Sequence, residues 1–313
     1  MNIVMLDALT LGESNLKEIE KLGKLTIYQT TSRKDIIKRA KDAEVILINK
    51  VILDEKILNA LPNLRLICIT ATGMNNIDLE CAKKLNIEVK NVANYSTQAV
   101  AQHTFMLVLN IIGRLNYYDE YVKKGKWAKS KIFCHLNSSN ELYELQNKTW
   151  GIIGFGNIGK EVAKIAKAFG VNIVYYSTSG KNSSKDFKQE TNLSSLFKNS
   201  DIISIHAPLN EKTRNLVTKK EVNLLKKDAI LINVGRGGIV NEKDLAKAIV
   251  KKDFYFACDV LEIEPMTKNH PFLNKKLKKK ILITPHIAWA YKETRDRLMR
   301  GVEENIRSFI SKK

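Results

Sequence analysis

Short apolar runs alternate with amphipathic stretches along nearly the whole chain, and this alternation predicts an α/β protein. In the first third, NIVMLDA (2–8), KLTIYQT (24–30), EVILINK (44–50), RLICIT (65–70) and IEVKNV (87–92) read as strands, separated by lysine-rich stretches of helical spacing such as Arg33 to Lys41. Five strands with crossover helices make an open sheet that is complete by about residue 95. A second series begins near Lys148: TWGIIGFG (149–156), VNIVYYS (171–177), DIISIHAP (201–208), AILINVG (229–235), FYFACDV (254–260) and ILITPH (281–286). Each run is short and almost continuously apolar, as expected of parallel strands covered on both faces.

From Ser96 to about Lys124, apolar helical spacing runs through Ala99, Val100, His103, Thr104, Leu107 and Ile111 and predicts one long helix. A helix of that length joining two domains is expected to pack against a second subunit, so a homodimer through 96–124 is predicted. The stretch KSKIFCHLNSSNELYEL (129–145) reads as a loop, and a last helix is predicted from Tyr291 to Phe309. Because that helix follows the second sheet, it is expected to return to the first domain. The predicted domains are 1–98 with 287–313, discontinuous, and 99–286.

Composition changes this picture little. At 313 residues, with 44% hydrophobic and 27% charged, the chain has the size and make-up of two ordinary globular domains. Lysine and arginine exceed aspartate and glutamate by 52 − 33 = 19. The excess is dispersed, as at Lys34, Lys38, Lys41, Lys83 and Lys84, with one dense run from Lys275 to Lys280 and no interleaved aromatics to stack on bases. It therefore reads as a solvated basic surface that attracts small anions, with no nucleic-acid partner expected. Cys68, Cys81, Cys134 and Cys258 lie far apart without C-x-x-C spacing, and Cys68 and Cys258 sit in apolar runs, so buried free thiols in a reducing compartment are expected. The start carries Asp7 and no basic leader, and the apolar stretch near Phe105 to Ile112 is too short to span a bilayer. A cytoplasmic protein without a membrane association is predicted, and no metal site is expected.

Candidate chemistry gathers at the ends of the second series of strands. Gly154, Phe155, Gly156, Asn157, Ile158 and Gly159 form G-x-G-x-x-G between the strand Thr149 to Ile153 and a helical pattern from Lys160 to Phe169. That context is the one in which backbone N–H groups and a helix N-terminus hold a pyrophosphate, so a dinucleotide is implied. At the end of the next strand, where a carboxylate would bond the NAD ribose, stand Ser177, Thr178, Ser179, Gly180 and Lys181. Hydroxyls and an ammonium accept a 2′-phosphate, which leans toward NADP(H); a polar turn indifferent to the phosphate remains the alternative. Further on, Arg236 lies between glycines in ILINVGRGGIV, Asp259, Glu262 and Glu264 in CDVLEIEP, and His286 in ITPHIAWA. A guanidinium grips a carboxylate in two places, and an imidazole beside a carboxylate is suited to moving a proton. Taken singly, each has a structural reading: an arginine in a surface turn, a histidine in the core, a glutamate opening a turn.

Taken together, TATGMNNIDL (70–79), GIIGFGNIGK (151–160), SIHAPLNEKTRNLV (204–217), INVGRGGIVNEKDL (232–245), DVLEIEP (259–265) and TPHIAW (284–289) resemble the D-isomer-specific 2-hydroxyacid dehydrogenases over nearly the full chain. Among them the glycerate dehydrogenase and hydroxypyruvate (glyoxylate) reductase branch is the most similar. The resemblance implies two doubly wound parallel-sheet domains, a flavodoxin-like substrate domain and a Rossmann-type dinucleotide-binding domain, with a cleft between them. It implies that Arg236 binds the substrate carboxylate and carbonyl, that His286 is the acid/base, and that Glu264 orients it. Asp259 matches the acid at the nicotinamide end of the cofactor, His206, Ala207, Pro208, Val234 and Gly235 match its binding segments, and Gly73 and Met74, with Val51 nearby, match the substrate loop. For the side chain of His206 a structural role is the favoured reading. Glutamate at 264, where formate dehydrogenases of this superfamily carry glutamine, favours acid/base chemistry. A dinucleotide-sensing, corepressor-like binding protein, a D-3-phosphoglycerate dehydrogenase and a D-lactate dehydrogenase remain open alternatives.

Overall fold

The computed structural model describes residues 1–312, and these divide into two compact units: Met1–Ser96 with the segment from Trp289 onward, and Thr97–Ala288. The first unit holds five parallel strands, β1 (Asn2–Met5), β2 (Lys24–Ile27), β3 (Val45–Ile48), β4 (Leu66–Ile69) and β5 (Glu88–Lys90), in the order β2-β1-β3-β4-β5. The continuous apolar runs of β1, β3 and β4 have a simple cause, because alternate residues serve opposite faces and both faces are buried. Val4, Ile46, Ile48, Ile67 and Ile69 face one core with Ile57 and Leu58. Ile3, Met5, Val45, Leu47, Leu66 and Cys68 face the other. That second face is closed by Leu298, Met299, Val302, Ile306 and Phe309 of the helix Lys292–Ile310, whose return to the first sheet makes this unit discontinuous in sequence.

A buried carboxylate organises the loops at the carboxyl edge of this sheet. Asp7, just beyond β1 and 5% exposed, accepts hydrogen bonds from the backbone N–H groups of Asn49, Lys50 and Val51 after β3. The Asn49 side chain in turn donates to the carbonyl of Thr70, and that of Asn76 donates to the carbonyl of Val51.

The second unit carries seven parallel strands: β6 (Thr149–Ile153), β7 (Asn172–Tyr176), β8 (Lys188–Gln189), β9 (Ile202–Ile205), β10 (Ala229–Asn233), β11 (Phe254–Cys258) and β12 (Ile281–Ile283). Their order is β12-β11-β10-β9-β6-β7-β8. Of these, only the two exposed residues of β8 carry no apolar signal, as suits an edge strand that covers no core. On one face Trp150, Ile152, Ile202, Ile230 and Ile232 pack against the helices Thr97–Gly113 and Asn157–Ala168. On the other, Ile203, Ile205, Leu231, Phe254 and Phe256 pack against Leu196, Phe197, Leu245 and Ile249. Cys68 and Cys258 are free and buried, and burial pushes the Cys68 thiol up to about 12.

The long helix expected over 96–124 is two helices, Thr97–Gly113 and Leu115–Lys123, because Arg114 between them turns left-handed at φ 49°. The Arg114 guanidinium lies over the Tyr255 ring at 4.3 Å, which ties the break to the sheet. The stripe through Val100, Leu107 and Ile111 is also not free for a second subunit, since it is buried against the second unit's own sheet. Met106 and Leu109 are the exposed apolar residues of that helix. No described helix is long and apolar enough to cross a membrane.

Two histidines of the second unit are held neutral by their surroundings. His206 follows β9, and its Nε2 lies 2.9 Å from Ser204 Oγ, whose oxygen accepts from the Trp150 indole at 2.8 Å. Desolvation pushes its pKa down to about 3, and desolvation likewise lowers that of His103, with Asp259 opposing.

Two outcomes are expected. Asp7→Ala leaves three backbone donors without their acceptor and should lower the unfolding free energy by about 3 kcal/mol, read from urea denaturation. In acid the folded chain protonates His206 only near about 3 and His103 at a lower pH than the unfolded chain, which takes up protons below ~6.5. Their contribution to stability is therefore complete above ~6.5 and is lost as pH falls toward the folded-state value. Melting temperature against pH should accordingly show a shallower acid limb for His206→Gln than for the parent chain, and superimposable limbs would reject the assignment.

Candidate active site

The second unit's ligand-facing residues all follow strands at their carboxyl ends, the edge at which an open parallel sheet presents its loops. Gly154 leaves β6 at φ 89°, and a side chain there would come within 2.6 Å of the backbone nitrogen of Ala207. The segment His206–Ala207–Pro208 after β9 can therefore lie directly against the turn. A side chain at Gly159 would meet the carbonyl oxygen of Gly154 at 2.3 Å, so the helix also sits close on the turn. Gly156 caps the helix Asn157–Ala168 and has no such neighbour, since a Cβ there meets nothing within 4 Å. Internal packing explains the first and third glycines; open space in front of a helix N-terminus explains the middle one.

That space is a pocket of ≈ 570 Å³ bounded by Gly154, Phe155 and Gly156 on one side, Thr178, Ser179 and Asn182 on another, and the 206–212 segment on a third. Two buried polar atoms, one on a lining residue and one beside it, have no hydrogen-bond partner among the described residues. One is Nδ1 of His206, and the other is Oγ of Ser177, next to Thr178. If Ser204 donates to His206 Nε2, Nδ1 carries a proton with nothing to receive it. A glycine turn, a helix N-terminus and orphaned polar atoms fit a bound dinucleotide, whose oxygens accept from N–H donors.

Of the residues singled out at the ribose end, Ser177 and Thr178 stand at or beside this pocket. Lys181 lies in the turn that follows, exposed, with its N–H donated to Ser179 Oγ. The cation lining the pocket is instead Lys212, and Asn182, Asn210 and Glu211 line it as well. The Thr213 hydroxyl bonds the carbonyl of Pro208 and so folds the 208–213 segment back. Lys212 is far from the glycine motif in sequence, and only strand order brings it there.

Beyond β10, Asn233 clamps the next turn, with its side chain donating to the carbonyl of Arg236 and accepting from the N–H of Gly235. Val234 is buried, and Gly235 faces the carbonyl of Ala207. The Arg236 guanidinium is exposed and donates to the carbonyl of Gly235. A side chain at Gly237 would overlap the carbonyl of Leu261, so this turn rests against the loop after β11 that carries Glu264.

Glu264 and His286 meet directly. Glu264 Oε2 lies 2.6 Å from His286 Nδ1, and Glu264 Oε1 accepts from the N–H of Leu261 at 2.9 Å. With Nδ1 engaged, Nε2 is the ring nitrogen left to face a substrate. His286 itself sits at φ 55°, a conformation that a residue with a Cβ adopts only when its surroundings enforce it. The enforcing group is Asp259, 2% exposed, whose Oδ1 accepts from Ile287 N–H at 2.9 Å and Oδ2 from Ala288 N–H at 2.7 Å. The sequence reading set Asp259 at the nicotinamide end of a cofactor; both of its oxygens bind the loop that carries His286. Among the described residues no group of histidine, cysteine and carboxylate side chains could hold a metal.

In the first unit, Val51 follows β3 and is held by Asp7 and Asn76, while Gly73 and Met74 lie on the loop after β4, Met74 packing on the unit's core. The site residues that sequence reasoning overlooked are polar partners inside apolar patterns: His103 on a buried helical stripe, Asn233 at the end of β10, and Thr284 before His286. Their signal was the polarity itself at positions where burial was predicted.

Residues 105–288 match the model for the D-isomer specific 2-hydroxyacid dehydrogenase, NAD binding domain. A hydroxypyruvate reductase of Blautia hydrogenotrophica is 34% identical, covering 99% of this chain and 97% of its own. A glyoxylate reductase of Aeropyrum pernix is 37% identical, covering 91% and 85%. Among solved structures, an acyclic imino acid reductase in complex with NADPH and D-arginine superposes with a TM-score of 0.87 at 28% identity, covering 100% of this chain and 98% of that one. The pocket, the paired Glu264 and His286, and these matches lead to one conclusion: the chain belongs to the D-isomer specific 2-hydroxyacid dehydrogenase family and is an oxidoreductase that uses a nicotinamide dinucleotide.

Proposed function

We propose that this chain reduces hydroxypyruvate or glyoxylate, giving D-glycerate or glycolate, with His286 as the proton donor. The observation that carries the reading is the 2.6 Å pairing of Glu264 with His286 Nδ1, which leaves Nε2 to serve the substrate oxygen. A bound nicotinamide dinucleotide supplies the hydride that C2 accepts. His286 gives its proton to the carbonyl oxygen as C2 is reduced, and Glu264 holds the ring in the required orientation. Arg236, exposed on its clamped turn, grips the substrate carboxylate and stabilises charge growing on the carbonyl oxygen. Val51, Gly73 and Met74 are the substrate-binding residues of the first unit. The turn shaped by Gly154 and Gly159 holds the pyrophosphate at Gly156, Asn157 and Ile158, His206, Ala207, Pro208, Val234 and Gly235 line the cofactor's path, and Asp259 supports its nicotinamide end through the loop it binds. The substrates named for the two relatives, both small 2-oxo acids, favour this pair over larger acids.

The cofactor is NADPH in preference to NADH. Ser177 and Thr178 put hydroxyls where an acid would repel a 2′-phosphate, Lys181 lies in the same turn, and Lys212 adds a charge across the pocket. The working unit is a homodimer, supported by Leu115, Trp127, Phe133 and Leu136, apolar residues left exposed in and after the Leu115–Lys123 helix, Phe133 to 88%. Free buried thiols accord with a cytoplasmic enzyme, and fractionation against a cytosolic marker tests that placement.

The decisive assay follows absorbance at 340 nm with hydroxypyruvate, glyoxylate, pyruvate and 3-phosphohydroxypyruvate, each with NADPH and NADH. The highest kcat/KM is expected for hydroxypyruvate or glyoxylate with NADPH. His286→Gln should lower kcat by roughly 10²–10⁴, and Arg236→Ala should chiefly raise the KM for the acid. Full activity in His286→Gln would falsify the proton-donor role, and a better rate with NADH would reverse the cofactor preference. Light scattering should give twice 35.6 kDa for the parent chain, and the double change Phe133→Asp, Leu136→Asp should give the monomer; a parent chain that runs as a monomer removes the dimer.

A further inference from the structure

We propose that His103 and Thr284 are positioning residues for His286, acting through the Asp259 carboxylate; this rests on the reading of His286 as the proton donor. On the buried stripe of the helix Thr97–Gly113 only two positions are polar and fully enclosed, His103 at 1% exposed and Thr104 at 0%. Thr104 is satisfied within its own helix, its hydroxyl donating to the carbonyl of Val100. His103 instead reaches the far end of the sheet. Its Nε2 lies 2.9 Å from Thr284 Oγ1 and 3.6 Å from Asp259 Oδ1.

The direction of each bond follows from the acceptors available. A carboxylate can only accept, so the Thr284 hydroxyl, 2.5 Å from Asp259 Oδ1, gives its hydrogen to Asp259. Thr284 Oγ1 is then an acceptor toward His103, and His103 carries its proton on Nε2. Burial disfavours a charged ring and leaves this neutral tautomer. The chain runs from His103 Nε2–H to the Thr284 hydroxyl to Asp259, and each donor sharpens the next.

His286 is bracketed by this chain. Residue 284 binds Asp259 through its side chain, and residues 287 and 288 bind the same carboxylate through their N–H groups. The left-handed backbone at 286 is thereby fixed on both sides, which holds the imidazole against Glu264. A leucine at 103 would satisfy the core without burying a polar ring. The imidazole there adds a donor for Thr284, which a leucine lacks. A displacement of about 1 Å in a reacting group costs on the order of 100-fold in rate, so a firm bracket has a direct catalytic effect.

The test uses the full chain and four variants: Thr284→Val, Thr284→Ser, His103→Leu and His103→Gln. Its first readout is the nitrogen-bound proton of His286 that faces Glu264, observed by NMR and assigned through its loss in His286→Gln. Its second is kcat and KM for the best 2-oxo acid, with dinucleotide affinity measured separately by fluorescence. Thr284→Val and His103→Leu should each broaden or abolish the proton signal and lower kcat about tenfold or more, with dinucleotide affinity changed less than twofold. Thr284→Ser should recover most of both signals, and combining Thr284→Val with His103→Leu should be no worse than either alone, because both break one chain. A sharp, unshifted signal in Thr284→Val, or a serine variant as impaired as the valine one, overturns the proposal. So does a loss confined to dinucleotide affinity. If the parent chain reduces no 2-oxo acid, the functional reading fails, while the NMR signal still decides whether the chain positions the ring. His103→Gln, which keeps a donor near Nε2, decides the question should the leucine variant not fold.

Discussion

Asp259 sits where a sheet buried on both faces has to hand over to an irregular loop, and its carboxylate collects Thr284, Ile287 and Ala288 into one hydrogen-bonded group. Without it, two backbone N–H groups at the edge of an apolar core would go unpaired, and nothing would hold His286 at its positive φ. An ionised acceptor is the right choice here, since one oxygen can take several donors and each such bond is stronger than a neutral one. The pairing of His286 with Glu264 depends on this anchor, because an imidazole on an unrestrained loop would not remain 2.6 Å from a fixed carboxylate.

The first unit solves the same problem with Asp7. There, too, a buried carboxylate beyond a strand gathers consecutive N–H groups, those of Asn49, Lys50 and Val51. Parallel sheets make this arrangement useful. Their strands are covered by helices on both faces, so loops at the carboxyl edge are the only part open to ligands, and they lack ladder partners of their own. A short acidic side chain on a neighbouring strand end supplies the missing acceptor without adding flexible length.

The glycines of the dinucleotide turn divide along the same line between scaffold and ligand. Gly154 and Gly159 let β6, the helix and the segment after β9 approach one another, which is a matter of internal contact. Gly156 faces open space and matters only to what binds there. Of the chain's many lysines, Lys212 is the one that lines this pocket among the described residues.

The period of the apolar runs was enough to assign eleven of the twelve strands and both sheets, because two-sided burial writes itself directly into sequence. The glycine turn, Arg236, Glu264 and His286 became candidates for a related reason, as residue types whose chemistry is narrow and whose strand context is local. Other features depend on contacts between segments far apart in the chain, which no local pattern encodes. The helix break at Arg114 needed Tyr255, 141 residues away. The cation at the pocket is Lys212 because β9 lies beside β6. Asp259 serves the His286 loop because β11 and β12 are neighbours, and His103 joins that network because its helix covers the same sheet. Side-chain type and spacing fix what a segment can form; which distant donors and acceptors meet is settled by how the elements pack.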